Sequence, residues 1–292
     1  MSAPDFGAFA EKHKTKKQLA EDKAAAIAKL EADGYVVHKP RPPREGAERV
    51  DITHLMGKDR LRLGVVSCTH FGSKYQQLTA LREFCTYAAP KVDAFVHGGD
   101  LTDGPTTRHR NPHEVFKHDF DAMLDYAADV LPATGKPWYV IGGNHDRWYK
   151  TDGGPDIIKA LCERRDDLTY LGQDLGYLTF KDTNIEVYHF DSATAYAWSY
   201  KAQKHIESLD ASRKPAVSLI ANFHKFCALY YRNVFAVQLP SFQAQSAWMA
   251  SKSLVSEVGG VILDVGLHPK GLAPATSVEV VYTYDPREGD WP

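Results

Sequence analysis

The chain has 292 residues, of which 43% are hydrophobic and 25% are charged, and its formal net charge is -2. These values are typical of a globular protein with one large domain and at most a small appendage. A strong basic excess, usual in proteins that wrap nucleic acid, is absent, although a local basic groove stays compatible with this charge. The four cysteines form no CxxC pair, which argues against a zinc ribbon or a disulfide scaffold. The sequence shows no apolar signal segment and no run of about 20 apolar residues, so we expect a cytoplasmic protein without a membrane partner.

The N-terminal segment predicts a helix from Thr15 to Asp33, capped by Thr15, and then an extended Pro-rich linker at residues 40–44. We therefore expect an appendage of residues 1–55 and a main domain of residues 56–292. The appendage is either a docking helix or a DNA-binding or partner-binding module. We favour the docking helix, because no recognition-helix pattern is visible.

Beyond residue 60, short apolar strands alternate with helical patterns. The strands are predicted at Arg62–Ser67, Ala94–His97 and Trp138–Ile141, with helices around Leu78–Phe84 and at His113–Val130. This alternation predicts an α/β fold with parallel strands. The later part predicts a hairpin over Gly176–Phe190, a helix at Ala195–Leu209, and strands at Ala216–Ala221, Val234–Gln238, Val261–Val265 and Val278–Tyr284.

Residues suited to metal ligation follow five of these strands directly. They are Cys68 and His70, Asp100, Asn144, His189, and Asn222 with His224. Taken alone, each has an ordinary structural explanation, such as a turn, a helix cap or a hydrogen-bonded histidine. Ligands of α/β sheets bind beyond the carboxyl ends of the strands. The recurrence of potential metal-ligating residues at successive strand ends therefore favours one common metal site.

Two strings carry a family resemblance. Gly99-Asp100-Leu101-Thr102-Asp103 and Gly143-Asn144-His145-Asp146 resemble the calcineurin-like metallophosphoesterases, whose motifs are Asp-x-His, Gly-Asp-x-x-Asp, Gly-Asn-His-Asp/Glu, a later His and Gly-His-x-His. The resemblance runs from residue 61 to the C-terminal strands. In its local sequence pattern the chain is most similar to phage-encoded and bacterial members. This resemblance implies a four-layer αββα sandwich of two mixed β-sheets.

The resemblance also implies roles for individual residues. One divalent metal ion would be held by Cys68, His70, Asp100 and His224, and a second by Asp100, Asn144, His189 and Asn222. His145 would contact the substrate phosphate, and Asp146 would orient His145. Arg147 is either a further phosphate contact or a solvated loop charge.

Two of these positions depart from the family pattern. Cys68 stands where Asp is usual, and Asn222 replaces the first His of Gly-His-x-His. A thiolate favours Zn or Fe, whereas amide oxygens are weaker ligands, so we expect a tight Zn or Fe site at Cys68 and a weaker second site that takes Mn or Mg. Alternatively, Cys68 only packs at the end of its strand and Asn222 only hydrogen-bonds to its neighbours.

By resemblance, the function is hydrolysis of a phosphodiester or phosphomonoester by a two-metal mechanism in which a bridging hydroxide attacks phosphorus. The expected substrate is a small phosphoester or a nucleotide. Two alternatives remain: a catalytically weakened binding protein of the same fold, and a nuclease or phosphatase that processes nucleic acid. The sequence leaves the substrate and the oligomeric state open.

Overall fold

The computed structural model describes residues 16–33, 47–55, 60–109, 111–180, 183–210, 214–268, 271–272, 276–283 and 286–291. The chain divides into two compact units, Met1–Pro42 and Pro43–Pro292. In the first unit, helix α1 (Lys16–Ala32) confirms the predicted helix. The predicted cap Thr15 and the linker at residues 40–44 lie outside the described residues.

The second unit contains the remaining elements. Its helices are α2 (Leu78–Ala88), α3 (Phe120–Val130), α4 (Asn144–Thr151), α5 (Ile157–Arg164), α6 (Tyr200–Ser208) and α7 (Ala247–Ser251). Its strands are β1 (Arg49–Asp51), β2 (Arg60–Val66), β3 (Ala94–His97), β4 (Trp138–Ile141), β5 (Leu168–Gly172), β6 (Leu175–Phe180), β7 (Thr183–His189), β8 (Val217–Ala221), β9 (Cys227–Tyr231), β10 (Val234–Gln238), β11 (Val258–His268), β12 (Gly271–Leu272) and β13 (Ser277–Thr283).

In the described part of the chain, the strands form two mixed sheets. The first has the order β1-β6-β7-β8-β10-β9, and the second has the order β12-β11-β2-β3-β4-β5, with β13 also paired to β11. Strands β2, β3, β4 and β5 run parallel, as the alternation of strands and helices predicted. Parallel strands end at the same edge of a sheet, so the segments that follow β2, β3 and β4 meet there.

Three apolar layers hold the sheets and helices together. Between the sheets, Val65 and Val96 of the second sheet belong to the same buried cluster as Val187 and Leu219 of the first. On the outer face of the second sheet, helices α2, α3 and α5 pack against β-strand residues such as Phe95. Helix α6 covers the outer face of the first sheet. The predicted αββα sandwich is therefore confirmed.

Two predicted helices begin later than expected. Helix α3 begins at Phe120 rather than at His113, because the Asp119 side chain caps it by accepting from the Ala122 amide. Residues 112–114 form a separate 3₁₀ turn. Helix α6 begins at Tyr200 rather than at Ala195, which leaves residues 192–199 as an exposed loop.

Strand β1 lies within the residues that the sequence assigned to the appendage. It pairs in parallel with β6 and so belongs to the first sheet of the second unit. The division at residue 55 itself stays a prediction. No helix among the described segments has both the length and the apolar character needed to cross a membrane.

Candidate metal centre

The predicted ligands stand on strained backbone at the strand ends. Five of them have a positive φ: Cys68 (51°), His70 (44°), Asp100 (50°), Asn222 (89°) and His224 (54°). For residues other than glycine this conformation costs about 1–3 kcal/mol each, and it persists where the surroundings hold it. The chain therefore turns sharply after β2, β3 and β8, and the turns bring side chains from separate strands to one place.

Glycine is required at two positions beside these turns. A Cβ atom at Gly143 would collide with the carboxylate of Asp100. Gly99 has a φ of +91°, and a Cβ atom there would lie 2.7 Å from Nδ1 of His189. The absence of side chains at both positions lets Asp100 and His189 approach the backbone closely.

The Asp100 carboxylate lies at the middle of the cluster. Its Oδ1 accepts a hydrogen bond from the His145 amide at 2.8 Å. Its Oδ2 faces two imidazole nitrogens, Nε2 of His189 at 3.1 Å and Nε2 of His70 at 3.8 Å. Asp100, His70 and His189 are all buried.

Both of those nitrogens carry a lone pair rather than a proton in the neutral ring. Nδ1 of His189 donates to the Gly98 carbonyl at 2.8 Å, so its Nε2 presents a lone pair to Asp100 and to Oδ1 of Asn144, 3.2 Å away. Nδ1 of His70 bonds to Asp103 at 2.8 Å, and its buried Nε2 has no hydrogen-bond partner among the described residues. Lone pairs that face carboxylate and amide oxygens repel one another unless a metal cation or a proton lies between them. This arrangement therefore fits a bound metal ion.

Among the described residues, three groups of ligand atoms lie close enough together to share a cation. Atoms of Cys68, His70 and His224 lie within 4.8 Å of one another, and so do atoms of Cys68, Asp100 and His189. The first group contains three of the four residues expected at the first metal, and the second contains two of those expected at the other. The third, His70 with Asp103 and His145, contains only one predicted ligand. Sulfur and imidazole donors with one carboxylate suit zinc or iron.

Asn144 and Asn222 differ in their surroundings. Asn144 begins α4 and lies beside His189, so it joins the cluster. The Asn222 side chain donates from Nδ2 to the Ser192 carbonyl at 3.0 Å. Its amide nitrogen is thus engaged by the loop that precedes α6, and its role as a ligand stays a prediction.

When no cation is bound, burial and neighbouring charges set the protonation states of the side chains in the cluster. Burial, and then the charge of Asp100, raises the pKa of the Cys68 thiol. Burial acts against the ionised form of Asp100, but His189 and His145 more than offset it and lower its pKa. Burial likewise acts to lower the pKa of His145, yet Asp100 and then Asp103 raise it to about 9. The thiol must therefore lose its proton as a cation binds.

The partner of His145 differs from the prediction. Asp146 does not orient the imidazole; its buried carboxylate accepts from the amides of Leu101, Thr102 and Gly143 at 2.9–3.0 Å. It therefore holds the loop after β3 against the start of α4. A capping carboxylate three residues into a helix is the sequence signal for this arrangement.

Asp103 is the carboxylate that contacts both rings. Its Oδ1 lies 2.8 Å from Nδ1 of His70 and 3.4 Å from Nδ1 of His145, and its backbone carbonyl lies 2.9 Å from the same nitrogen of His145. Sequence reasoning gave it no role, although it is the second Asp of the Gly-Asp-x-x-Asp string. Trp148, one turn along α4, was also missed, and its ring centroid lies 4.0 Å from that of His145.

Arg147 is engaged elsewhere. Its guanidinium forms ion pairs with Asp174 and Asp191, which follow β5 and β7. The side chain of His145, by contrast, is 21% exposed, so it is accessible from solvent.

Comparisons with known proteins place the chain in a family. The family model of the calcineurin-like phosphoesterases matches residues 61–228. Comparison with curated protein sequences found no match.

Solved structures with similar folds have low sequence identity. An archaeal phosphodiesterase is 12% identical with a TM-score of 0.45, covering 76% of this chain and 100% of its own. The inner-membrane-complex anchor GAP50 of Plasmodium is 13% identical with a TM-score of 0.47, covering 79% and 87%. A putative 5'-nucleotidase of Staphylococcus aureus is 12% identical with a TM-score of 0.43, covering 77% and 55%. The assignment rests on the family match, which spans more than half of the chain: this protein belongs to the calcineurin-like phosphoesterase family.

Proposed function

We propose that this protein is a metal-dependent hydrolase of phosphate monoesters or diesters that works with two divalent cations. The observation that carries the proposal is the Asp100 carboxylate, which faces the Nε2 atoms of both His70 and His189 in a buried cluster. A cation on either side of Asp100 would replace the unfavourable contacts between lone pairs by ligand bonds.

The proposed ligands divide into two sets that share Asp100. Cys68, His70 and His224 would hold one cation with Asp100, and the thiolate favours Zn or Fe there. Asn144, His189 and Asn222 would complete the second site, where amide oxygens suit Mn or Mg. Bound cations supply positive charge to the phosphoryl oxygens and an acidified water as the nucleophile.

His145 is the residue we assign to the substrate phosphate. The Asp103 carbonyl can only accept a hydrogen bond, so Nδ1 of His145 donates to it and Nε2 is left for the substrate. Trp148 packs against the ring and fixes its orientation. A protonated Nε2 can then donate to a phosphoryl oxygen or to the leaving oxygen. Arg147 would have to break its ion pairs with Asp174 and Asp191 to reach a phosphate, so we give the phosphate contact to His145.

The test is a metal-resolved activity screen. The full chain is stripped with a chelator, reloaded with Zn, Fe(II), Mn or Mg, and assayed with bis-p-nitrophenyl phosphate and p-nitrophenyl phosphate. We expect turnover that requires metal and that is lost in Asp100→Asn and reduced at least about a hundredfold in His145→Ala.

Exposed residues of the same type provide matched controls. Asp166→Asn and His118→Ala change exposed side chains outside the cluster and should leave the rate unchanged. If no metal supports turnover of either ester, the hydrolase proposal is wrong, and a binding protein of this fold is the better explanation. Turnover that survives Asp100→Asn would also refute the assigned centre.

A further inference from the structure

His97, the last residue of β3, is a fully buried polar side chain that the proposed chemistry does not use. It is 0% exposed, and Phe95 and Val96 before it belong to the apolar core. A polar ring in such a place is unfavourable unless its polar atoms are hydrogen-bonded. Both ring nitrogens have partners: the Gly99 amide lies 3.2 Å from Nδ1, and Oγ1 of Thr69 lies 3.1 Å from Nε2.

The donors and acceptors in this arrangement follow from its two ends. At one end, Oγ1 of Thr69 donates to the Leu101 carbonyl at 2.9 Å, because a carbonyl oxygen can only accept. The hydroxyl has then used its one proton, so it accepts from Nε2–H of His97. At the other end, the Gly99 amide donates to the lone pair of Nδ1. Burial, and then the charge of His189, lower the pKa of His97 to about 3, in agreement with this neutral ring. We call these three hydrogen bonds the His97 bridge.

The His97 bridge joins two loops that carry proposed metal ligands. Thr69 lies between Cys68 and His70 in the loop after β2. The amide and the carbonyl at the two ends of the bridge lie on either side of Asp100 in the loop after β3. The imidazole therefore connects the segment that supplies sulfur and imidazole ligands to the segment that supplies the shared carboxylate.

These two loops need contacts of this kind because their backbone is strained. Cys68, His70 and Asp100 all have a positive φ, and such conformations persist only where the surroundings hold them. Backbone hydrogen bonds already pair the loops, from the Cys68 amide to the Gly99 carbonyl at 2.9 Å and from the His70 amide to the Asp100 carbonyl at 3.1 Å. The bridge adds side-chain contacts from the residue between the two ligands, and so fixes the separation of the loops where the ligands stand.

We propose that His97 is a positioning residue for the first metal site and that it acts through Thr69. This inference rests on the proposed function, which assigns Cys68, His70 and Asp100 to that site. The bridge holds the loop of Cys68 and His70 against the loop of Asp100, so that all three ligand atoms reach one cation. The second site depends on the bridge less, because it takes no ligand from the loop after β2.

Cobalt(II) can report on the first site without any turnover. It binds in zinc sites, and a thiolate bound to it gives a charge-transfer absorption in the near ultraviolet. The full chain is stripped with a chelator and titrated with cobalt(II), so that this absorption follows the first site and the later change in visible absorption follows the second. Thr69→Val removes the hydroxyl but keeps the shape of the side chain. We expect it to weaken the first step about tenfold or more and to change the second step little, whereas Thr69→Ser should bind as the original does.

Two substitutions of His97 provide a second, matched comparison. In His97→Gln the amide nitrogen reaches about as far as Nε2 of the ring and can still donate to Thr69. In His97→Asn the side chain is too short for this contact. We therefore expect His97→Asn to weaken the first step as Thr69→Val does, and His97→Gln to bind cobalt more tightly than His97→Asn. If Thr69→Val does not fold, the comparison of these two variants decides.

Ser218→Ala is the control for the loss of a buried hydrogen bond as such. Ser218 is 0% exposed and donates to Oε2 of Glu186 at 2.8 Å, a carboxylate that also contacts His205 of α6. This contact lies on the face of the first sheet that α6 covers. The variant should melt at a lower temperature but leave both cobalt steps unchanged.

The outcomes separate this inference from the proposed function. An unchanged first step in Thr69→Val, equal binding by His97→Gln and His97→Asn, or equal weakening of both steps would overturn the positioning role and leave the metal centre as proposed. Cobalt binding without thiolate absorption in the original protein would refute both the first metal site and this inference. A protein that shows the expected cobalt results but hydrolyses no ester would support the positioning role and refute the hydrolase.

Discussion

Asp103→Asn tests how the cluster positions its histidines. The substitution keeps the size of the side chain and the backbone carbonyl that accepts from His145, but it removes the negative charge 2.8 Å from Nδ1 of His70. His70 thereby loses the carboxylate that fixes its ring and strengthens Nε2 as a ligand.

The expected size of the effect follows from which ring is affected. Loss of such a carboxylate partner typically costs about 10–100-fold in metal affinity or activity, or about 1.4–2.7 kcal/mol. His145 keeps its bond to the Asp103 carbonyl, whereas its carboxylate contact is longer, at 3.4 Å. We therefore expect a single loss of about 10–100-fold, from His70, rather than separate losses of this size from His70 and His145. It should appear in kcat and in metal affinity, with little change in KM.

The assay measures metal dissociation constants alongside kcat and KM for bis-p-nitrophenyl phosphate. Asp166→Asn, an exposed Asp on the surface, is the matched control. A variant that melts at a lower temperature but binds metal as tightly as the original would show a purely structural role for Asp103. Unchanged kcat and metal affinity would refute the positioning argument altogether.

Three further predictions concern the metals and a buried glutamine, Gln238, whose side chain is 1% exposed. After gentle dialysis, metal analysis should find one ion retained and one lost, because a thiolate binds Zn or Fe more tightly than the amides of Asn144 and Asn222 bind Mn or Mg; equal retention would contradict this asymmetry. Cys68→Ser should lose the retained ion, and unchanged metal content would mean that Cys68 only packs. Gln238→Leu should raise the free energy of unfolding by about 1–3 kcal/mol, because Oε1 of Gln238 is a buried acceptor with no hydrogen-bond partner among the described residues. In thermal melts this is a gain of about 2–4 °C per kcal/mol, and a lower melting temperature would show that Oε1 has a partner.

The strand ends could be predicted from the sequence because their pattern is local. Apolar runs such as Ala94–His97 and Val234–Gln238 match the observed strands residue for residue. Polar residues in motifs of fixed spacing follow Ala94–His97 and Trp138–Ile141, so Asp100 and Asn144 could be placed at one edge without knowledge of long-range contacts. Helix α3 shows the limit, since its start depends on Asp119, one of several polar residues that could have capped it.

Contacts between distant segments could not be predicted. Strand β1 is three residues long, and only its pairing with β6 defines it. Which carboxylate reaches His145 depends on how the loop after β3 turns over α4, and the sequence favoured the neighbouring Asp146 over Asp103. Gln238 offers no signal in the sequence, because the lack of a partner for its Oε1 among the described residues is visible only once β10 is packed in its sheet.

The position of Asp146 follows from the strain at the centre. Asp100 has a positive φ, so the loop after β3 needs contacts that hold it in place. The Asp146 carboxylate supplies them by accepting from the amides of Leu101 and Thr102 and from the Thr102 hydroxyl. The same carboxylate accepts from the Gly143 amide, so it ties the loop that carries Asp100 to the helix that carries His145. A carboxylate that holds the strained loop of Asp100 against the start of α4 has a stronger physical role than one that orients a single ring, because its loss would displace Asp100 and His145 together.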